Sequence, residues 1–145
     1  MRFGLPEPVM SIPPEERDGR TWRASDDLLE VRDVGAFVRI LVPVSLTHSY
    51  QVVFGAWMGV PNEVLRRAFD VWWGEGYRSL RLDGVLANRL PPWEAETCGA
   101  PITAEVRDEG QLPYAVASPD SVMQDILSRE WPHELVLAAL AAYRG

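Results

Sequence analysis

One charge interrupts the nine-residue run from Ala36 to Val44, and that charge is Arg39. A guanidinium inside such a run needs an anion, because an uncompensated buried charge costs several kcal/mol. The anion is either internal, with Asp27, Asp33 or Asp83 as candidates, or it arrives from outside. A second run, Tyr50 to Met58, carries Gly55 and Trp57. If the two runs pair as antiparallel strands with Val44 facing Tyr50, Gly55 falls opposite Arg39 and Trp57 opposite Phe37. Bare backbone would then lie beside a guanidinium between aromatic walls, which suits an anionic ligand or a partner's carboxylate. Asn88, in the segment Asp83–Pro91, is a further polar group. Arg39, Gly55, Trp57 and Asn88 are therefore the expected ligand-binding set. In an enzyme, His48 and Asp83 would join Arg39 in acid–base or electrostatic catalysis.

Other groups with chemical potential read more plainly. His48 and His133 have no partner at a metal-ligand or general-base spacing, so no metal is expected. Cys98 sits in Glu96-Thr97-Cys98-Gly99 without a nucleophile signature and reads as a buried or incidental thiol. Gly74-Glu75-Gly76 follows a helical pattern rather than a strand, the wrong order for a dinucleotide-binding turn. Asp26, Asp27, Glu30 and Asp33 read as a solvated strand edge with turn caps. Six tryptophans are many for 145 residues. Trp72 and Trp73 are adjacent on a helical pattern, so they point about 100° apart. One of them belongs at a boundary, partly exposed, as a pocket wall or a partner surface requires.

The elements that position these groups follow from periodicity. Between the strands Ala36–Val44 and Tyr50–Met58 lies a five-residue loop around Leu46-Thr47-His48-Ser49. Even positions from Val38 to Val44 and from Tyr50 to Met58 are apolar and face the core. The odd face mixes Phe37, Arg39, Gln51, Gly55 and Trp57. Thr21–Ala24 is a possible edge strand and Asp27–Val31 a strand. Val64, Leu65, Ala68, Phe69 and Trp72 recur at helical spacing up to Gly74, and that helix should cover the even face. Tyr77–Leu82 is extended, Asp83-Gly84 a turn, and Val85–Ala87 a short apolar piece ended by Pro91-Pro92. Ile102, Ala104 and Val106 alternate with polar residues as a half-buried strand, which Asp108-Glu109-Gly110 turns into Leu112–Ala117. Ser118-Pro119-Asp120 starts a helix with Ser118 as N-cap. Pro132 ends it before a last helix from about His133 to Tyr143. Prolines at four positions make residues 1–14 an extended arm, and residues 15–145 are a single domain. The expected class is α+β, an antiparallel sheet with helices packed on one face.

Composition bounds the function. All 14 basic residues are arginine, which removes lysine chemistry, and the net charge is −7 with a pI near 4.8. That balance argues against nucleic acid and against an anionic membrane surface as partners. A lone cysteine fits a reducing compartment, and the proline-broken start MRFGLPEPVMSIPP lacks the apolar run of a signal peptide. No stretch is apolar enough for a membrane span. The expected location is the cytoplasm.

The segments SDDLLEVRD, FVR, PV and GAW, the helix ending in tryptophan, DGVLANRLP and Thr97 resemble a bacterial family, domain of unknown function 2199, over roughly Arg23 to Ala117. Many members of that family begin with a Cys-x-x-Cys segment that looks like half a zinc site. This chain lacks it, so no zinc carries over. Family members commonly have a His-Pro-Leu run near the C-terminal hairpin, where this chain reads Leu112-Pro113-Tyr114. The resemblance implies a fold and no established activity. Two functions remain open on these residues. One is a binding module, for a protein partner as in an immunity protein or for a small ligand, with no cofactor. The other is a small enzyme of specialised metabolism working on the Arg39/Gly55/Trp57 face.

Overall fold

A computed structural model describes residues 1–143. The class is α+β. In chain order the elements are α1 (Glu7–Met10), α2 (Pro14–Asp18), β1 (Thr21–Ser25), β2 (Leu28–Val31), β3 (Gly35–Ser45), β4 (Gln51–Val60), α3 (Asn62–Val71), β5 (Arg81–Leu86), β6 (Pro101–Glu105), β7 (Tyr114–Ala117), α4 (Ser121–Ser128) and α5 (His133–Ala142). The seven strands lie in sequence order in one sheet, each antiparallel to the next. β7 then returns to β3 through Leu41 and Tyr114, closing β3 to β7 into a five-stranded barrel. That closing pair is parallel, as it must be when five successive antiparallel strands bring the first and fifth into the same direction. β1 and β2 extend the sheet past the barrel, beside the first four residues of β3.

The barrel explains the sequence's strongest pattern. The pairs Val38–Met58, Met58–Leu86, Leu82–Ala104 and Ala104–Ala115 carry one face around the closed sheet, and every one of these side chains is buried. The even face of β3 and β4 is the inside of the barrel. Leu65 and Ala68 of α3 pack beside β2 and β3, and Met123 and Ile126 of α4 beside β3 and β7. At about 1.5–3 kcal/mol for each fully buried aliphatic or aromatic side chain, this lining is the main stabilising term.

The structure corrects several sequence expectations. Val44 faces Val52, not Tyr50. A single 3-10 turn, Thr47–Ser49, takes up the connection, with His48 and Ser49 both left-handed and the Leu46 N–H donating to the Tyr50 carbonyl. The two-residue slip keeps every side chain on its face and changes its neighbours. Trp57 now stands opposite Arg39, and Gly55 opposite Leu41. Asp83-Gly84 is not a turn; both residues lie inside β5, paired with Thr103 and Ile102. Gly84 is there for close approach, since a Cβ on it would sit 2.1 Å from the Gly59 carbonyl oxygen. The N-cap of α4 is Asp120, whose carboxylate accepts from the Met123 N–H; Ser118 instead bonds Asp120 N–H and the Pro101 carbonyl.

The first residues are not a bare extended arm. β4 meets β5 only at Met58 and Gly59, which leaves the edge near Gly55 unpaired by the sheet. Residues 1–3 pair there: the Gly55 N–H donates to the Met1 carbonyl at 2.7 Å, and the Phe3 N–H donates to the Gly55 carbonyl at 2.8 Å. Phe3 and Val9 are buried in the core. The prolines begin at Pro6, after this added strand, and Pro6 precedes the single turn of α1.

Candidate functional site

Arg39 is set by three elements. β3 holds its backbone, with the Arg39 N–H donating to the Asp27 carbonyl at 2.9 Å. Its guanidinium lies 4.3 Å from the ring centre of Trp57, across the β3–β4 pair. Its Nη1 donates to the Phe3 carbonyl at 2.8 Å. The Asp27 carboxylate is 3.6 Å from Nε, close enough for an ion pair and too long for a hydrogen bond. The residue as a whole is only 4% exposed. Burial, followed by the nearby Arg2 charge, lowers its pKa to about 10, while Asp27 pulls the other way. It stays protonated at neutral pH. Of the internal partners expected for Arg39, the structure selects Asp27.

Arg39 lines a groove of about 540 Å³ on the outer, odd-numbered face of the barrel. Its walls are the added N-terminal strand with Arg2, the β3–β4 residues Leu41, Val53 and Gly55, the turn Gly110–Leu112, and the indole of Trp73. The 110–112 turn is anchored by the Tyr77 hydroxyl, which donates to the Gln111 carbonyl at 2.6 Å. Burial first, then Asp27, pushes the Tyr77 phenol well above its ordinary range, so it remains a donor. Trp73 is 49% exposed and has a left-handed backbone, φ 58°. That conformation costs a non-glycine residue about 1–2 kcal/mol, and Gly74 directly follows it without adopting it. Trp72, half-buried, packs edge-on against Tyr77. α3 ends at Val71, so the two tryptophans lie past the helix rather than on it, and the pair divides into a packed indole and an exposed one that belongs to the groove wall.

The other sequence candidates are dispersed. Gly55 is at the groove, but its open side is taken: a Cβ there would meet the Arg2 Cγ at 3.2 Å. The added strand, not a ligand, covers the bare backbone. Trp57 is fully buried beneath the Arg39 guanidinium, with its Nε1 lacking a partner, and does not line the groove. Asn88 is also fully buried, and both ends of its amide are engaged. Its Oδ1 accepts from the Trp57 N–H at 2.7 Å and its Nδ2 donates to the Leu5 carbonyl at 2.9 Å. Asn88 ties β4 to the N-terminal segment and does not line the groove.

His48 and Asp83 are not assembled with Arg39. His48 is exposed in the 3-10 turn, six residues of strand, or about 20 Å, beyond it, and packs against the His133 ring at 4.7 Å. His133 is held by Thr47, whose Oγ1 is 2.7 Å from Nδ1. Asp83 projects from β5, accepts from Thr103 Oγ1 at 2.6 Å and lies 4.0 Å from Arg81. Cys98 is half-buried, and burial raises its thiol pKa, which favours the unreactive form. Among the described residues no three His, Cys, Asp or Glu side chains converge as metal ligands. Among them, too, no helix is long and apolar enough to cross a membrane. Met1, Arg2, Leu41, Val53 and the 110–112 turn are groove residues that sequence reasoning did not place in the site. The one signal was the unpaired stretch of β4, legible only once its strand partners are known.

No curated protein and no solved structure matches the chain. A family model described as "Uncharacterized protein conserved in bacteria" matches residues 1–131. The match takes in the N-terminal strand and every residue of the groove, and ends before α5. The chain therefore belongs to this bacterial family, domain of unknown function 2199.

Proposed function

We propose that this protein is a binding module for a small ligand, and that the groove beside Arg39 is its site. The observation that carries this reading is Arg39 itself. A guanidinium almost removed from water, held by a carbonyl and a carboxylate beyond hydrogen-bonding range, forms one wall of a concave space. The groove volume lies in the range of small-molecule sites, roughly 300–1,000 Å³. Its other walls are largely apolar and come from strands and an anchored turn, so the site is formed before a ligand arrives. The cytoplasm is the setting in this reading, on the support of a single cysteine, which can form no disulfide within the chain. The enzyme alternative has weaker support, because His48 and Asp83 are absent from the groove walls.

Protein-observed NMR with a mixed collection of neutral, cationic and anionic fragments tests the reading. Binders should shift backbone signals of Arg39, Leu41, Val53, Trp73 and the 110–112 turn. Binders that map consistently to another surface, or no binders at all, would contradict it. A protein partner, of the immunity type, draws on a different observation: Trp22 of β1 and Phe69 of α3, both well exposed, meet edge-to-face at 5.7 Å beside the outer sheet edge. If that form is right, Trp22→Ser should release a co-purifying partner without altering the groove.

A further inference from the structure

We propose that the ligand of the groove is a small organic carboxylate with a flat apolar body, its carboxylate taken by Arg39 and Arg2 and its body lying on Trp73. This inference rests on the groove being the binding site. The walls select an anion. Two guanidiniums, Arg2 and Arg39, and the Met1 α-ammonium line the groove with one carboxylate, Asp27, leaving it a positive excess in a chain whose net charge is −7. Among the apolar walls a singly charged carboxylate costs less to take out of water than a phosphate dianion does. Phe3 already occupies Nη1, so Arg39 offers an incoming anion the remainder of its fork rather than a full bidentate face. Arg2, exposed, supplies the second donor. Burial first, and then the nearby Arg2 charge, lowers the pKa of Arg39, and an anion between the two guanidiniums offsets the second of these.

The body of the ligand follows from the rest of the wall. Leu41, Val53 and Leu112 are apolar, and the Trp73 indole stands half exposed on a strained backbone with Tyr77 packed behind it at 4.9 Å. Residues held in a left-handed backbone cluster at active sites and ligand clamps. A planar apolar group on that indole gains stacking and burial together.

Phenylacetate, phenylacetamide and inorganic phosphate are the probes, titrated into the full chain and followed by NMR. Phenylacetate should bind about ten- to a hundredfold more tightly than phenylacetamide, the worth of a charge-assisted hydrogen bond. Phosphate should not displace it. Arg2→Ala, at an exposed position, should narrow the preference for acid over amide without unfolding the protein, and Arg39→Met should abolish it. Trp73→Gly relaxes the backbone and should weaken both aromatic probes alike. Equal binding of acid and amide in the groove would overturn the carboxylate assignment while the groove remained a site. Displacement by phosphate would overturn the choice of a carboxylate head group, and unchanged affinity in Trp73→Gly would overturn the aromatic body. Failure of every probe and of all other fragments to perturb the groove would instead remove the binding-module reading beneath it.

Discussion

Arg39→Met separates a guanidinium held by the fold from one that merely fills space. Methionine keeps the approximate volume of the side chain and removes its charge and donors. Three contacts disappear with it. The buried Phe3 carbonyl loses its donor at 2.8 Å, worth about 1–3 kcal/mol. The stacked pair with Trp57, at 4.3 Å, loses about 1 kcal/mol. Asp27 loses its counter-charge, but its side chain is 17% exposed and the separation is 3.6 Å, so this part is about 1 kcal/mol or less. Relief of the desolvation of Arg39 offsets some of the sum. The net expectation is a loss of about 2–4 kcal/mol, or roughly 10 °C in melting temperature for a domain of this size. Urea denaturation followed by tryptophan fluorescence, with the m-value unchanged, reads it directly. Asp27→Asn should cost less, and the double variant should show a coupling of about 1 kcal/mol. An Arg39→Met protein within about 0.5 kcal/mol of the parent would refute the reasoning, since a buried charge with these contacts cannot be neutral to remove.

Three further outcomes follow from the same geometry. Gly84→Ala forces a methyl group to 2.1 Å from the Gly59 carbonyl oxygen, and should cost about 3 kcal/mol or more in thermal denaturation, beyond ordinary overpacking. Removing residues 1–11 strips Phe3 and Val9 from the core, about 2 kcal/mol each, and takes the partners of Gly55, Arg39 and Asn88 with them. The shortened protein should melt well below even Arg39→Met, and equal melting temperatures would mean that the segment rests on the barrel without stabilising it. Tyr77→Phe deletes the bond to the Gln111 carbonyl. It should cost about 1 kcal/mol and raise amide exchange at Gly110–Leu112, which unchanged exchange would contradict.

The barrel's inner face was legible because its signal is local: alternation from Val38 to Val44 and from Val52 to Met58 survives any even-numbered slip in register. The register itself was not. It depends on the left-handed His48 and Ser49, and nothing in the polarity of Leu46-Thr47-His48-Ser49 marks that turn. Arg39 was identifiable as the residue to explain, and Asp27 as one of its partners, because a charge within an apolar run has few solutions. Gly55 was correctly read as bare backbone, yet its covering came from the far end of the sequence, through Arg2. Asp83-Gly84 misled for a related reason. A glycine needed for close approach to Gly59 and a glycine needed for a turn have the same local sequence signature. Closure of the sheet by Leu41 and Tyr114 is a single long-range pairing, invisible to periodicity.

The side-chain Nε–Hε spectrum of the arginines tests the central claim most directly. With no lysine and 14 arginines, the spectrum is sparse, and the Arg39 signal is assigned by its disappearance in Arg39→Met. Buried at 4% exposure and fixed by Phe3, Arg39 should give a slowly exchanging, dispersed cross-peak in the free protein. On titration with phenylacetate that peak should move together with the Trp73 indole signal, while those of exposed arginines such as Arg66, Arg78 and Arg129 stay in place. Saturable binding of phenylacetate that leaves the Arg39 cross-peak where it was would contradict the assignment of this groove as the binding site.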